Sequence, residues 1–246
     1  TQPHLPSLPN PKFSGKTGNG DWADMLAEMD HNVGQILAAI DKAGVKKDTI
    51  VIFTSDNGSE YTRPWDGWSG PWRGQYFTAL EGGIRVPFLM RWPGKIAPKR
   101  VSNEIVHGVD MFATLARFSG AKVPDDRPID SLDQSAFILG KTEKSAREGF
   151  PIMVADRLTA VKWRNWKMHF YHQDTMIDPP VRNPVPAVYN LHTDPREEKP
   201  ANYLENSWVM YPVSKIMHEF EASLKQHPPI PMGTPDPYLP PGQKNN

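Results

Sequence analysis

Thr49-Ile-Val-Ile-Phe-Thr-Ser-Asp-Asn-Gly58 decides how this chain is read. Residues Thr49 to Thr54 are apolar or β-branched throughout, the pattern of a buried strand of a parallel sheet, whose two covered faces need no polar alternation. The run stops at Ser55-Asp56-Asn57-Gly58, where glycine permits a sharp turn. A turn at the carboxyl end of such a strand lies on the rim where open α/β sheets bind ligands. Asp56 and Asn57 present a carboxylate and an amide carbonyl there, hard oxygens suited to Ca²⁺ or Mg²⁺. The same residues are ordinary turn formers, because Asx side chains bond the local backbone.

Upstream, Trp22, Met25, Leu26, Met29, Val33, Ile36, Leu37 and Ile40 recur at intervals of three and four, which predicts an amphipathic helix from Asp21 to the glycine stop at Ala43-Gly44. Asp24, Glu28 and Asp30 read as its solvated face. Downstream, the segment from Glu60 to Tyr76 carries Trp65, Trp68 and Trp72 with no regular period, so it is expected as a loop, its tryptophans either lining a pocket or anchoring the loop. Glu81-Gly82-Gly83 reads as a glycine turn entering a strand at Val86 to Arg91, with Arg85 as a structural ion-pair partner. Asp110 is expected to cap a helix Met111 to Ser119 stopped by Gly120, with His107 a satisfied histidine before it. After a polar connector over 122–148, the segments Ile152 to Val154, Thr159 to Trp163, Lys167 to Tyr171 and Val188 to Leu191 predict short antiparallel strands, with a hairpin turn at Arg164-Asn165. A helix from about Ser207 to Lys225 packs on them, and a proline-rich tail follows from His227. His169, His172, Asp174 and Asp178 lie close in sequence, but a strand sends His169 and His172 to different sides.

The 246 residues, 38% hydrophobic, supply a core, and 28 basic against 28 acidic residues give no net charge to draw nucleic acid or a membrane surface. No apolar run reaches the ~20 residues of a membrane span, and Thr1-Gln2-Pro3-His4 is no secretory signal. The absence of cysteine rules out disulfides and thiolate chemistry.

Taken in order, Pro3-His4-Leu5-Pro6 before Phe13-Ser14-Gly15, the Ser55 to Gly58 turn, Arg73-Gly74, Glu81-Gly82-Gly83-Ile84-Arg85-Val86-Pro87 and Trp92-Pro93-Gly94-Lys95-Ile96 resemble the C-terminal half of a type I arylsulfatase, in the alkaline phosphatase-like superfamily. The resemblance runs from about His4 to about Tyr203. It implies an α/β fold: part of an alkaline phosphatase-like sandwich, a mostly parallel sheet with helices, over 1–148, then a small antiparallel sheet packed against a C-terminal helix over 149–226, and the tail over 227–246. It implies hydrolysis of sulfate esters with a divalent metal, Ca²⁺ foremost and Mg²⁺, Mn²⁺ or Zn²⁺ as alternatives, held in part by Asp56 and Asn57. His4 matches a histidine that contacts the ester. Where many members carry a sulfate-binding lysine, five residues before Glu81, this chain has Tyr76. Either Arg73 supplies the charge or the Tyr76 phenol donates a neutral hydrogen bond, with Trp72 beside them as pocket wall; bracing against Glu81 is the structural alternative for Arg73.

Formylglycine-dependent members form their nucleophile from a Cys or Ser within Cys/Ser-x-Pro/Ala-x-Arg. No such segment is assigned here, so no formylglycine is expected in this chain. The family's N-terminal aspartate pair also has no counterpart, and its sheet begins upstream of Thr1, so the sequence reads as truncated by about half a domain. Three readings follow: a sulfatase chain that works with an N-terminal partner chain, a stand-alone promiscuous metal-dependent phosphoester or phosphotriester hydrolase, or an inactive remnant. In each, uncovered sheet edges predict a homo-oligomer or a complex. The substrate is a small sulfate or phosphate ester.

Overall fold

The computed structural model describes residues 3–4, 6–62, 65–66 and 68–235. The Trp65 side chain and the prolines at 237, 240 and 241 of the expected tail lie outside the described ones. Helix α1, Asp21–Lys42, lies where the spacing placed it, with Asp21 and Asp24 in its first turn and Lys42 in its last, as the helix dipole favours. Asp24 corrects its reading as a solvated residue. It is buried, and its carboxylate accepts from the Gly15 amide (2.6 Å), the Thr17 amide (2.9 Å) and the Thr17 hydroxyl (2.7 Å). These bonds hold its carboxyl below the usual range and fasten the proline-rich segment to the helix.

Strand β1, Val51–Thr54, also departs from expectation. It pairs antiparallel with β4, Phe88–Arg91, in the register Val51↔Arg91 to Thr54↔Phe88. A parallel neighbour needs a crossover, usually through a helix. The connection from β1 to β4 instead doubles back through the two-residue strands β2, Tyr61–Thr62, and β3, Trp65–Asp66, and the single helical turn α2, Glu81–Ile84. Nor is the pair buried: Phe88 is 38% and Leu89 60% exposed.

Helix α3, Asp110–Ser119, ends at Gly120 in the left-handed region (φ 77°), which only glycine adopts without strain. Asp110 is fully buried and is the first residue of the helix, not its cap, a place that Val109 takes without a side-chain bond. The Asp110 carboxylate accepts from the His107 and Leu132 amides, from Gln134 and from the Arg147 guanidinium (2.6 Å), so it ties α3 to the 122–148 connector and its short helix α4, Ser135–Ile138. His107 is satisfied as expected, accepting from the Val109 amide and lying edge-on to Phe150.

The chain then forms an antiparallel sheet in the order β5 (Gly149–Val154), β6 (Arg157–Trp163), β7 (Trp166–His172), β8 (Val181–Asn190). The β6–β7 hairpin turns at Arg164 (φ 52°) and Asn165. Alternation gives this sheet two faces. Val161, Met168 and Val188 point to helix α5, Met210–Gln226, and form a core with Val209 and Val213. Lys162, Lys167 and His169 point the other way, toward α2, and all three are buried. That second face positions the site.

Candidate active site

The Asp56-Asn57 turn is held from below by glycines. The Gly58 amide donates to the Gly83 carbonyl at 3.0 Å, and a Cβ on Gly58 would lie 2.0 Å from the Gly82 carbonyl oxygen. On Gly82 it would meet the Gly74 and Arg73 carbonyls at 2.6 and 2.7 Å, and on Gly83 the Gln75 carbonyl at 2.2 Å. Only glycine allows three backbones this close. The Gly82 amide donates to Arg73 O (2.7 Å) and the Tyr76 amide to Ser59 O (3.1 Å), so the β1 turn, the 73–80 loop and α2 are bonded into one piece.

On that base Asp56 and Asn57 are exposed. Asp56 Oδ1 accepts from the Asn57 amide at 3.0 Å, and Asn57 Nδ2 donates to Gly58 O at 2.7 Å, which leaves the Asn57 carbonyl oxygen as its remaining donor to a ligand. These are hard oxygens on a rigid turn, the right chemistry for a divalent cation. They are two, whereas Ca²⁺ takes about six to eight, and among the described residues no three His, Cys, Asp or Glu side chains are grouped to hold a metal. The pair fits as part of a cation site.

The loop residues have definite places. Tyr76 is half-buried and packs on Phe77, ring centroids 4.6 Å apart; Phe77 is exposed and held at φ 60°. A non-glycine residue at positive φ is a local strain that clusters at functional sites, and Phe77 escaped sequence reading because a dihedral leaves no composition signal. Trp72 lies under the Arg85 guanidinium (4.5 Å), and Arg85 Nε donates to Glu81 at 2.5 Å, which makes Arg85 the structural ion-pair partner expected of it. Arg73 does not brace Glu81. Its fork reaches into the C-terminal part, with Nη1 donating to Asp174 (2.7 Å), Nε to Arg196 O (3.0 Å) and Nη2 to Glu197 O (2.7 Å). Each terminal nitrogen keeps one further N–H.

The expectation of no formylglycine motif needs correction. Ser69-Gly70-Pro71-Trp72-Arg73 matches the five-residue pattern once. In the fold, however, Ser69 Oγ donates to the Gly82 carbonyl (3.0 Å) and lies 2.8 Å from Ser59 Oγ, while Trp72 and Arg73 are engaged as above. Its residues brace the glycine base.

Beneath the base lies a buried charge cluster that sequence reading missed. Glu81, fully buried, accepts from Arg85, Lys162 (2.6 Å) and Lys167 (3.2 Å). Glu197, also fully buried, accepts from Lys167 (3.0 Å), from His169 Nε2 (2.7 Å) and from the Glu81 amide (2.6 Å). Burial pushes both carboxyls up, but the surrounding cations outweigh it and hold them below the usual range. Burial pushes Lys162 down to about 8, against the pull of Glu81, and pushes His169 down as well, against its bond to Glu197. His169 is therefore neutral in the fold at pH 7, its Nε2–H donating to Glu197.

The remaining candidates are His4 and the residues near His169. His4 is exposed on the segment before α1. His172 is exposed and bonded to Asp174, and Asp178 accepts from Thr175, so among the described residues His169, His172, Asp174 and Asp178 form no shared metal site.

The fold, an α/β layer followed by a four-stranded antiparallel sheet and a terminal helix, superposes on solved sulfatases. A sulfatase from Pseudoalteromonas sp. superposes with a TM-score of 0.88 at 30% identity, covering 94% of this chain and 48% of its own, and a sulfatase from Bacteroides thetaiotaomicron with 0.78 at 27% identity, covering 90% and 48%. The sulfatase family model matches residues 17–121, and the model for the C-terminal part of N-sulphoglucosamine sulphohydrolase matches residues 75–226, more than half of the chain. The chain belongs to the sulfatase family. It is 35% identical to rat steryl-sulfatase over 80% of its length and 36% identical to human arylsulfatase A over 79%, spanning 39% and 41% of those proteins. It thus covers about two fifths of such relatives.

Proposed function

We propose that this chain serves hydrolysis of sulfate monoesters with a divalent cation. The observation that carries the reading is the glycine base, which bonds the Asp56-Asn57 turn, with its two hard-oxygen donors, to the Arg73–Leu80 loop. Asp56 and Asn57 are the cation ligands this chain provides, for Ca²⁺ ahead of Mg²⁺, Mn²⁺ or Zn²⁺. A cation bound there would neutralise charge on the sulfate oxygens. Tyr76 donates a neutral hydrogen bond where many relatives have a lysine, and Arg73, with one N–H left on each terminal nitrogen, adds positive charge behind it. Phe77 and Trp72 wall the side that receives the alcohol portion of the ester, and His4 contacts the ester oxygen. The organisation proposed with this reading is a catalytic α/β part over 1–148, the sheet and helix over 149–226 and the tail beyond.

A second reading concerns assembly, and the exposure of Phe88 and Leu89 favours it. Among the described residues, β1 and β4 pair only with each other, which leaves two open edges and an apolar face. We infer that another chain covers them, a second copy or a partner polypeptide, and completes the cation site. A monodisperse monomer by light scattering contradicts this. The primary reading is tested by replacing Tyr76 with Phe and Asp56 with Ala in the assembled protein: both are expected to lower aryl sulfate turnover, Asp56→Ala far more, and unchanged turnover in Asp56→Ala refutes it. An aryl phosphotriester run in parallel separates sulfate ester hydrolysis from the promiscuous phosphotriesterase alternative.

A further inference from the structure

Lys162 and Lys167 face each other directly across the β6–β7 hairpin on the buried side of the sheet. Like charges so placed repel, and each loses its hydration. Buried ion pairs seldom stabilise a fold more than apolar residues of similar volume would. Glu197 adds a further cost, since it is fully buried and held at φ 54°. An arrangement this expensive is retained where it fixes geometry, and the hydrogen bonds show what is fixed.

We propose that Glu81 is a positioning residue, through which the antiparallel sheet sets the position of the Asp56-Asn57 turn. The path is continuous. Lys162 and Lys167 hold the Glu81 carboxylate, and Glu197 holds the Glu81 amide. The next residue, Gly82, donates to Arg73 O, and Gly83 accepts from Gly58, adjacent to Asn57. Arg73 closes the circuit, because its guanidinium donates to the carbonyl of the same Glu197 whose side chain grips Glu81. The sheet therefore reaches the turn from the lysines through the Glu81 carboxylate, and from Glu197 through both the Glu81 amide and Arg73. α2 is a single helical turn with Gly82 and Gly83 at its centre and has little rigidity of its own; the salt bridges supply it.

The inference deepens the reading of Asp56 and Asn57 as site residues but is tested without an activity assay, so either can fail alone. Hydrogen–deuterium exchange of the Gly58 amide is measured in the full chain, in Glu81→Gln, in Lys162→Met and in Val213→Ala. The last removes core packing on the opposite face of the sheet and touches nothing in the cluster. Glu81→Gln is expected to speed Gly58 exchange more than tenfold while peptides of α1 and α3 keep their protection. Lys162→Met leaves Arg85 and Lys167 on Glu81, folds even if Glu81→Gln does not, and is expected to speed Gly58 severalfold. Val213→Ala should loosen α5 and leave Gly58 at the wild-type rate. An unchanged Gly58 rate in Lys162→Met, or an equal acceleration in Val213→Ala, overturns the proposal.

Discussion

Gly58→Ala tests the glycine base most sharply, because the geometry isolates one cause. Gly58 is not in the left-handed region, so alanine fits its backbone conformation without dihedral strain. The added methyl would lie 2.0 Å from Gly82 O and 2.8 Å from two atoms of Gly83, all of them backbone. Ordinary contact begins at 3.4 Å, so one chain must retreat by about 1.4 Å, and overpacking of this kind costs about 1–3 kcal/mol. That retreat stretches the Gly58–Gly83 hydrogen bond beyond use, adding roughly 1 kcal/mol. The expected total is about 2–4 kcal/mol of lost stability, read as a lower midpoint in urea at unchanged slope. Gly34→Ala is the control: it has open space around it inside α1, and alanine there should stabilise by roughly 0.5–1 kcal/mol. A Gly58→Ala protein within about 0.5 kcal/mol of wild type would refute the claim that backbone contact locks the turn.

Lys167→Met should cost about 3–5 kcal/mol in chemical denaturation, since it strips a shared cation from two buried carboxylates; a loss below about 1 kcal/mol would contradict that sharing. His169 gives a pH dependence. Its folded pKa lies below the ordinary 6.5, so below pH 6.5 the unfolded chain binds a proton that the folded chain refuses. Stability is therefore present above 6.5 and falls as pH drops toward the folded value, by up to about 1.4 kcal/mol per pH unit from this residue. Melting temperature against pH should show this slope in wild type and a shallower one in His169→Gln, and identical slopes would exclude His169 as its source. Phe77→Gly should relieve strain at φ 60° and raise or preserve stability while weakening binding of aryl esters; weakened stability together with unchanged aryl ester binding would assign Phe77 to packing.

Local features were legible where the signal is local. The three-and-four spacing from Trp22 to Ile40 placed α1, Gly120 placed the end of α3, and Arg164-Asn165 placed the hairpin, because each depends on a few neighbouring residues. The partners of Glu81 were not legible, since Lys162 and Glu197 lie 81 and 116 positions away. A hairpin at Arg164-Asn165 sets Lys162 opposite Lys167, but alternation from Val161 and Met168 only places both on the face away from α5, and nothing local says that this face is covered. Asp24 was misread because a carboxylate in the first turn of a helix is usually solvated, and nothing in its own helix reveals the backward loop it closes over Gly15 and Thr17. For β1 an apolar run reports burial tendency but says nothing of strand direction, which here follows from how the chain returns at β4. The strand end before Asp56 and Asn57 was legible because the apolar run and the turn residues coincide within a few positions.

The most direct test of the account is sulfate release from an aryl sulfate by the purified protein in the assembly it forms, with Ca²⁺, after chelation, and in Asp56→Ala. The account predicts turnover that chelation and Asp56→Ala each abolish and that added Ca²⁺ restores only to the wild type. Turnover that survives both, or no release at any divalent cation concentration, would contradict it.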